Sequence, residues 1–217
     1  MRTYEDVLCP EKAFIWRITH RDNVGWILDN GMHCASSGVR DPDFVSIGNP
    51  DLITKRSTHA VPIPPGGTLS DYVPFYFTPF SPMLLNIKSG RNGVTMRNND
   101  EIVILVADLH SLARDQHPFV FTNGHAYMKM TEYFADLGRL AAIDWRILQH
   151  RDFKTDPDDP SKMERYQAEA LVHRHLPVER LRGIVCASEA VKDSIEALLK
   201  ARNLKLSVLV RPSWYFS

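Results

Sequence analysis

Alternating apolar and polar positions predict β-strands near both ends of the chain. The run from Phe14 to Thr19 indicates one strand, and alternation of apolar residues up to Val210 indicates the last one. Between them, EIVILVADL is an unbroken apolar run, which is typical of a buried strand. DYVPFYF, the start of FVFTNGHAYM, and RGIVCAS are further predicted strands. Strands therefore dominate the predicted core.

Helical spacing and capping residues predict helices between these strands. The predicted helices follow Asp22 as N-cap and stop at Asn30-Gly31, run from Ser81-Pro82 to Gly90, cover TEYFADLGRL, and follow Ser188 with Val191, Ile195, Leu198 and Leu199 on one face. The helices do not follow a regular β-α-β rhythm. The pattern thus predicts an α+β domain.

Two polar stretches interrupt the ordered elements. Residues 36–70 are rich in Gly, Pro, Ser and Asp, with Lys55-Arg56 in their middle, so we expect a long irregular region that serves function or mobility. Residues 146–164 are polar and contain two prolines, which predicts an exposed loop. We expect one domain over residues 1–217.

Composition narrows the class of protein. The chain has 217 residues, 44% of them hydrophobic and 24% charged, which is ordinary for a globular protein. Lys+Arg and Asp+Glu are both 26, so any nucleic-acid binding must come from a local basic surface. Cys9, Cys34 and Cys186 form no C-x-x-C pair, and no apolar run reaches the roughly 18 residues of a membrane span. We expect a cytoplasmic protein without a membrane partner.

Familiar catalytic motifs are missing from the sequence. None of the nine histidines belongs to an H-E-x-x-H motif, and His173 and His175 are spaced for one face of a strand, so we expect no metal. G-x-S-x-G and the common phosphate-binding glycine loops are also absent. These absences argue against a serine hydrolase and the usual nucleotide-binding folds.

The stretch RYQAEALVHRH, residues 165–175, is chemically distinctive. If it is extended, Gln167 and Glu169 project from the same face; if it is helical, they diverge by roughly 200°. The alanines favour a helix. Local pattern leaves both alternatives open.

Longer blocks of sequence resemble a known family. WRITHRDNVGWILDNGMHC, IGNPDLI-KR, GGTLSDYVPFYFTPFSPML, PFVFT-HAY, DPDDP and ERYQAEAL are similar to the DarT-type DNA ADP-ribosyltransferase toxins over essentially the whole length, nearest to the thymidine-modifying branch. The resemblance implies an ADP-ribosyltransferase fold, a central antiparallel-rich split sheet flanked by helices. It implies transfer of ADP-ribose from NAD to thymidine in single-stranded DNA, release of nicotinamide, blocked replication, and a DarG-type macrodomain antitoxin as partner.

The same resemblance assigns catalytic roles. Glu169 is the expected catalytic glutamate, which stabilises the oxocarbenium-like centre formed when nicotinamide leaves. Gln167 would point to the acceptor or hold the loop geometry, or be a solvent-exposed amide. Arg56 matches the family arginine, which is expected to stabilise the thymine anion or to relay its proton and also to contact NAD phosphate, with neighbouring Lys55 as the alternative.

The resemblance also implies an NAD pocket and an acceptor loop. Arg17, Ile18 and Thr19 occupy the place of the dinucleotide anchor, with His20 as a rival. Asn23, Trp26, Gly48, Tyr72, Phe75 and Tyr76 are further pocket candidates, although buried core is the commoner fate of such aromatics. The expected DNA contacts in or beside residues 146–164 are Arg146, His150, Arg151, Phe153, Lys154, Lys162, Arg165 and Gln167; a solvated turn containing Asp156, Asp158 and Asp159 is the alternative.

Two rival functions remain at this point. One keeps the fold but uses another acceptor, a guanine base, RNA or protein. The other is a nucleic-acid-binding module that has lost catalysis, against which the presence of both Glu169 and Arg56 argues.

Overall fold

An eight-stranded sheet forms the centre of the protein, as seen in a computed structural model that describes residues 4–216. The strands are β1 (Phe14–His20), β2 (Met32–His33), β3 (Tyr72–Tyr76), β4 (Ile102–Asp108), β5 (Phe119–Thr122), β6 (Tyr133–Phe134), β7 (Glu169–His173), β8 (His175–Leu176), β9 (Gly183–Cys186) and β10 (Ser207–Val210). The large sheet has the order β10-β9-β4-β1-β3-β7-β5-β6, while β2 and β8 pair separately. Every pairing is antiparallel except that of β10 with β9.

Short helices cover the sheet and its edges. They are α1 (Val24–Asn30), α2 (Pro50–Arg56), α3 (Pro82–Ser89), α4 (Leu109–Arg114), α5 (Trp145–Gln149), α6 (Lys162–Tyr166) and α7 (Glu189–Ala201). The longest, α7, buries Val191, Ile195 and Leu199 and contacts β9 and β10. Burying each of these side chains stabilises the fold by about 1.5–3 kcal/mol. The expected α+β class is confirmed.

The sheet is almost divided between β1 and β3. These two strands meet at a single residue pair, Trp16 with Tyr76, whereas β1 pairs with β4 along all of Phe14–His20. Two four-stranded halves therefore diverge from one point of contact. The expected split, antiparallel-rich sheet is confirmed, and the gap it leaves positions the site described below.

Most predicted elements lie where pattern and capping placed them, with two exceptions. Ser81 and Ser188 each accept a hydrogen bond from a first-turn N–H and begin their helices, and Gly90 ends α3. Asp22, predicted as an N-cap, instead lies within a 3-10 turn over Arg21–Asn23 that precedes α1. TEYFADLGRL is not an α-helix, because β6 pairs with β5 and a 3-10 helix follows over Leu137–Ala142.

Both polar stretches contain helices that composition concealed. Asn49 caps α2 through Leu52 N–H, and Pro50 occupies the first helical turn, where it costs no hydrogen bond. The second stretch contains most of α5, starts α6 at Lys162, and buries Ile147 and Leu148 in the core. The prediction of a fully exposed loop over 146–164 is therefore wrong at both ends. Over residues 4–216, the helices are too short or too polar to cross a bilayer.

Candidate active site

A cleft opens where β1 and β3 diverge. Its walls come from β1, α1, β2, the segment 35–49, α2 and β3, and the first residue of β7 completes it. Nine of the residues singled out from sequence line this cleft: Arg17, Ile18, Thr19, Trp26, Gly48, Arg56, Tyr72, Tyr76 and Glu169. The fold thus brings together groups that are up to 152 positions apart in the chain, from residue 17 to residue 169.

The carboxylate of Glu169 is the most deeply held charge in the cleft. The residue is 3% exposed. Its Oε1 accepts a hydrogen bond from the backbone N–H of Ala126 at 2.9 Å, and Arg56 Nη1 donates to Oε2 at 2.9 Å and to Oε1 at 3.3 Å. His125 Nδ1 lies 3.8 Å from Oε1. A fixed carboxylate of this kind suits stabilisation of a developing cation.

Backbone pairing fixes where Glu169 lies. Glu169 is opposite Tyr76 of β3, and the next residue, Ala170, is opposite Phe121 of β5. Thr122 Oγ1 accepts from Glu169 N–H at 3.0 Å and donates to the carbonyl of Gly124 at 2.6 Å. One buried hydroxyl therefore joins β7 to the turn that supplies Ala126.

Arg56 reaches Glu169 from the last residue of α2. Its side chain is 13% exposed, and its Nη2 is buried without a hydrogen-bond partner among residues 4–216. Lys55 is exposed and does not line the cleft. Of the two alternatives left open by the sequence, Arg56 is the one whose charge lies beside Glu169, and it keeps an unused donor.

Arg17 and Tyr76 flank the point where the sheet divides. Arg17 Nη1 donates to the carbonyl of Pro74 at 2.9 Å. Burial, together with the nearby Arg56 charge, lowers the pKa of Arg17 to about 10, while Tyr76 opposes that shift. Burial, and then the charge of Glu169, raises the pKa of Tyr76 well above its ordinary value. The cleft is therefore cationic at Arg17 and keeps the phenol of Tyr76 protonated.

Two polar residues predicted for the pocket do not line the cleft. His20 is buried, accepts from Asp22 N–H through Nδ1, and places Nε2 3.6 Å from Glu101. Asn23 is buried too; its amide exchanges hydrogen bonds with both backbone groups of Val45 at 2.9 Å and 2.8 Å. As a rival anchor His20 is misplaced, because β1 turns it away from the cleft. Asn23 holds the cleft's segment 35–49 against β1 instead.

The aromatic candidates divide between cleft and core. Phe75 is fully buried in the main core, so the alternative of a structural role applies to it. Tyr72 is also buried but borders the cleft, and its hydroxyl donates to the carbonyl of Gly66 at 2.7 Å. Burial is the main cause that raises the pKa of Tyr72 to about 12. Trp26 packs edge-on against His33, another cleft residue, with ring centroids 5.8 Å apart.

Most basic candidates of the 146–165 region are engaged within the protein. Arg165 donates to Asp144 at 3.2 Å and to Asp159 at 2.7 Å, and these bonds raise its pKa. Lys162 is buried, with Nζ 3.1 Å and 3.2 Å from two aspartates. None of Arg146, His150, Arg151, Phe153, Lys154, Lys162, Arg165 and Gln167 lines the cleft. The solvated-turn alternative, which paired these charges with the aspartates, describes Lys162 and Arg165 better.

The remaining members of that set pack or point elsewhere. Arg151 lies over the Phe80 ring at 3.9 Å, and Phe153 packs on both Tyr166 and Phe216, with centroids 4.9 Å and 6.1 Å apart, against the main core. His150 Nδ1 is 2.7 Å from the carbonyl of Arg146. Arg146 and Lys154 are exposed. Most of the candidate side chains of the proposed acceptor loop therefore contact other parts of the protein.

The stretch 165–175 is helical at its start and extended afterwards. Helix α6 ends at Tyr166, and β7 begins at Glu169. Gln167 lies just after the helix and donates from Nε2 to the carbonyl of Met163 at 3.1 Å. The extended alternative, with Gln167 and Glu169 on one face of a strand, is wrong for Gln167, because β7 begins only at Glu169.

The turn after β5 supplies groups that the sequence did not reveal. Ala126 acts through its backbone N–H, which no residue type marks, and His125 lies beside Glu169. The signal was the T-N-G-H stretch in FVFTNGHAYM, where a threonine ends the strand and a glycine allows a close approach, since a Cβ at Gly124 would lie 3.2 Å from the Glu164 carbonyl oxygen. Within residues 4–216 no group of three His, Cys, Asp or Glu side chains is arranged to hold a metal ion.

Comparisons with known proteins agree with one another. A family model described as "ssDNA thymidine ADP-ribosyltransferase, DarT" matches residues 16–216. A DNA ADP-ribosyl transferase of Escherichia coli O127:H6 is 58% identical over 99% of this chain and 98% of that protein. The fold superposes on Thermus sp. 2.9 DarT in complex with ADP-ribosylated ssDNA with a TM-score of 0.87 at 32% identity, covering 99% of both chains. Thermus sp. 2.9 DarT in complex with NAD+ gives 0.84 at 32% identity, covering 95% of this chain and 99% of that one.

Proposed function

The chain belongs to the DarT family, and from that premise we propose that it transfers ADP-ribose from NAD to a thymidine base of single-stranded DNA as the toxin of a toxin–antitoxin pair. As a family member it is an NAD-dependent DNA ADP-ribosyltransferase that acts on single-stranded DNA. The thymidine target and the toxin role rest on the family model's description and on the sequence blocks quoted above.

The observation that supports the proposal best is the buried Glu169–Arg56 pair. NAD would supply the ADP-ribosyl group, with nicotinamide as the leaving group. Glu169, fixed by Ala126 N–H and Arg56, would stabilise positive charge at the ribose as the glycosidic bond breaks. A single-stranded acceptor suits this chemistry, because the imide nitrogen of thymine is buried in a duplex.

Arg56 and His125 would act on the acceptor base. The imide nitrogen attacks poorly until its proton is lost, so a cation beside it favours the reactive anion. Arg56 keeps one buried unpaired donor, which suits a carbonyl oxygen of that anion. An arginine is a poor base, whereas an imidazole nitrogen can accept a proton, and His125 Nδ1 lies 3.8 Å from Oε1 of Glu169. The base nitrogen would bond the ribose carbon as its proton leaves through His125.

Arg17 is the group best suited to the anionic part of the donor. It lies in the same cleft as Glu169, at the root of the split between β1 and β3. Its cationic guanidinium already donates one bond to Pro74 and has further donors in its planar fork. This assignment predicts that Arg17→Met weakens NAD binding more than DNA binding.

The test is an incubation of the protein with NAD and a panel of oligonucleotides. A thymine-containing single strand should gain the mass of one ADP-ribosyl group while nicotinamide is released; its duplex, a thymine-free strand and an RNA strand should not. Glu169→Gln serves as the matched inactive control. If no DNA strand forms an adduct, the proposal is refuted. A mass gain on guanine, RNA or protein would establish the alternative acceptor.

Arg56→Ala separates the acceptor role from donor binding. We expect transfer to DNA to fall by at least about a hundredfold, the lower range for loss of an electrostatic catalytic group, with NAD affinity changed less. Equal losses of NAD affinity and transfer would contradict the acceptor role. A binding module without catalysis would turn over no NAD in either form.

The toxin role has a cellular test. Expression of the chain should arrest growth, Glu169→Gln should relieve the arrest, and co-expression of a DarG-type macrodomain protein that removes ADP-ribose from DNA should restore growth. Arrest that persists in Glu169→Gln would show that the arrest does not depend on the transfer reaction.

A further inference from the structure

Two surface loops meet beside the Glu169–Arg56 pair through a pair of aromatic rings. The α2–β3 loop, residues 57–68, contributes His59, and the β5–β6 loop, residues 123–132, contributes Tyr127. Their ring centroids are 5.0 Å apart with an interplanar angle of 48°. Both residues are partly buried, so part of each ring faces solvent.

Both rings are tied to the catalytic pair by short connections. Tyr127 follows Ala126, whose N–H binds Glu169, and Ala126 is held from its other side by the hydroxyl of Tyr133. His59 comes three residues after Arg56, and its carbonyl accepts from Leu69 N–H at 2.9 Å. Each ring therefore follows, within three residues along the chain, a group that binds the Glu169 carboxylate.

A small hydrophobic core lies beneath these loops and supports the ring of Tyr127. It is separate from the main core and consists of Val61, Leu69, Tyr72, Val120, Ala126 and Leu171. Tyr127 packs against it from outside. A surface held this way is prepared for a ligand without first being ordered, which reduces the entropy cost of binding.

The ring of His59 is uncharged near neutral pH. Burial lowers its pKa, and the neighbouring charges of Arg56 and His125 lower it further. A neutral imidazole beside a phenol presents flat π surface and no competing cation. Such surfaces bind unpaired nucleobases by stacking, since every base has a π face.

We propose that His59 and Tyr127 form a stacking subsite for the unpaired base that neighbours the modified base in the acceptor strand. The inference rests on the proposed function, because it takes the reacting base to lie at Arg56 and Glu169. It places the flanking base against the β5–β6 loop and not against residues 146–165, where Arg151, Lys162 and Arg165 contact other parts of the protein. The identity and stacking of that neighbour would then influence which thymidines are modified.

The test measures binding of a fluorescent single-stranded oligonucleotide with one thymidine, without NAD, by anisotropy. Tyr127→Ala and His59→Ala should each weaken binding about tenfold, the scale of one stacked base, while Tyr127→Phe and His59→Phe should stay within about twofold of the parent protein. Melting temperatures of all four variants identify any that fail to fold. The two phenylalanine variants keep an aromatic ring at each position, so they separate a loss of stacking from a loss of structure.

A second arm removes the base in place of the ring. Oligonucleotides with an abasic residue on the 5′ or on the 3′ side of the thymidine should bind the parent protein about tenfold more weakly on one side only. Tyr127→Ala should show no further loss with that abasic strand, because the contact is already gone. Additive losses, or alanine variants that bind like the parent, would overturn the subsite.

The readouts separate this inference from the proposed function. Binding is measured without catalysis, and adduct formation is measured by mass on the same strands. A strand that binds with the expected ring dependence but gains no mass would refute the proposed reaction and support the subsite. A strand that gains mass with no ring dependence would do the reverse, and a strand that does neither would refute both.

Discussion

Replacing Arg56 with methionine should cost stability as well as activity, because it leaves a buried carboxylate without its counter-charge. Within residues 4–216, Oε2 of Glu169 accepts only from Arg56, while Oε1 keeps the N–H of Ala126. At 2.9 Å the pair attracts by about 6 kcal/mol if the effective dielectric constant is about 20. Desolvation of both groups offsets most of that attraction, so the gross figure is not the net one.

Glu169 is buried more deeply than Arg56, and this difference sets the loss of stability expected for each variant. Removing one partner of a buried pair costs about 3–5 kcal/mol, and the open cleft puts Arg56→Met near the lower end, about 3 kcal/mol. Glu169→Gln should cost less, about 1 kcal/mol or below, because the Arg56 side chain is 13% exposed against 4% for Glu169 and can turn towards water. The double variant should be more stable than Arg56→Met alone, since no charge is left buried.

Urea unfolding at neutral pH measures all three variants against the parent protein. A loss of about 3 kcal/mol corresponds to a fall in melting temperature of about 6–12 °C for a chain of this length. The reasoning fails if Arg56→Met lies within about 0.5 kcal/mol of the parent, the scatter of ordinary surface substitutions, or if the double variant is no more stable than Arg56→Met.

Three further predictions follow from contacts outside that pair. Thr122→Val leaves Glu169 N–H and the Gly124 carbonyl without their hydrogen-bond partner, so the free energy of unfolding in urea should fall by about 2–4 kcal/mol. Thr122→Ser keeps the hydroxyl and should avoid this loss, and equal losses in the two variants would contradict the prediction. Four histidines have pKa values lowered chiefly by burial: His33, His59, His117 and His173. The unfolded chain then binds more protons below about pH 6.5, so the melting temperature should fall as pH drops from there towards about 5, and a flat profile would contradict this. Lys129 is an exposed residue of the β5–β6 loop, and Lys129→Ala should reduce the salt dependence of DNA binding by about one phosphate contact. Lys154→Ala, at another exposed lysine, should leave the salt dependence unchanged. The opposite result would indicate that the DNA strand binds the 146–165 region.

Elements whose local signals agree with the tertiary structure were predictable from sequence. The β4 strand has an unbroken apolar run, and α3 has both a serine cap and a terminal glycine, so pattern, cap and burial all indicate the same element. For cleft residues on such elements, Arg17 on β1 and Tyr76 on β3, the strand was predicted from pattern and the pocket position was implied by the family resemblance.

The errors fall where tertiary contacts outweigh local composition. Helix α2 is a single capped segment inside a polar region. Its position as one wall of the cleft depends on tertiary contacts, which local composition does not show. Charges in the 146–165 region suggested a DNA surface, yet Arg165 and Lys162 are neutralised by aspartates that no spacing rule pairs with them. Ala126 could not have been found, because its contribution is a backbone N–H whose direction depends on the turn.

The single residue pair that joins β1 to β3 has a consequence for how a ligand is sensed. Between the two halves of the sheet, backbone pairing is limited to this one residue pair, to which Arg17 adds a side-chain hydrogen bond to the Pro74 carbonyl, so few interstrand bonds hold β1 against β3. Arg17 lies on one half, and Tyr76 and Glu169 lie on the other, so a molecule that contacts both sides bridges the gap as a missing strand would. Binding of the dinucleotide should therefore slow amide hydrogen exchange most in the middle of β1 and β3, far from any loop that closes over it.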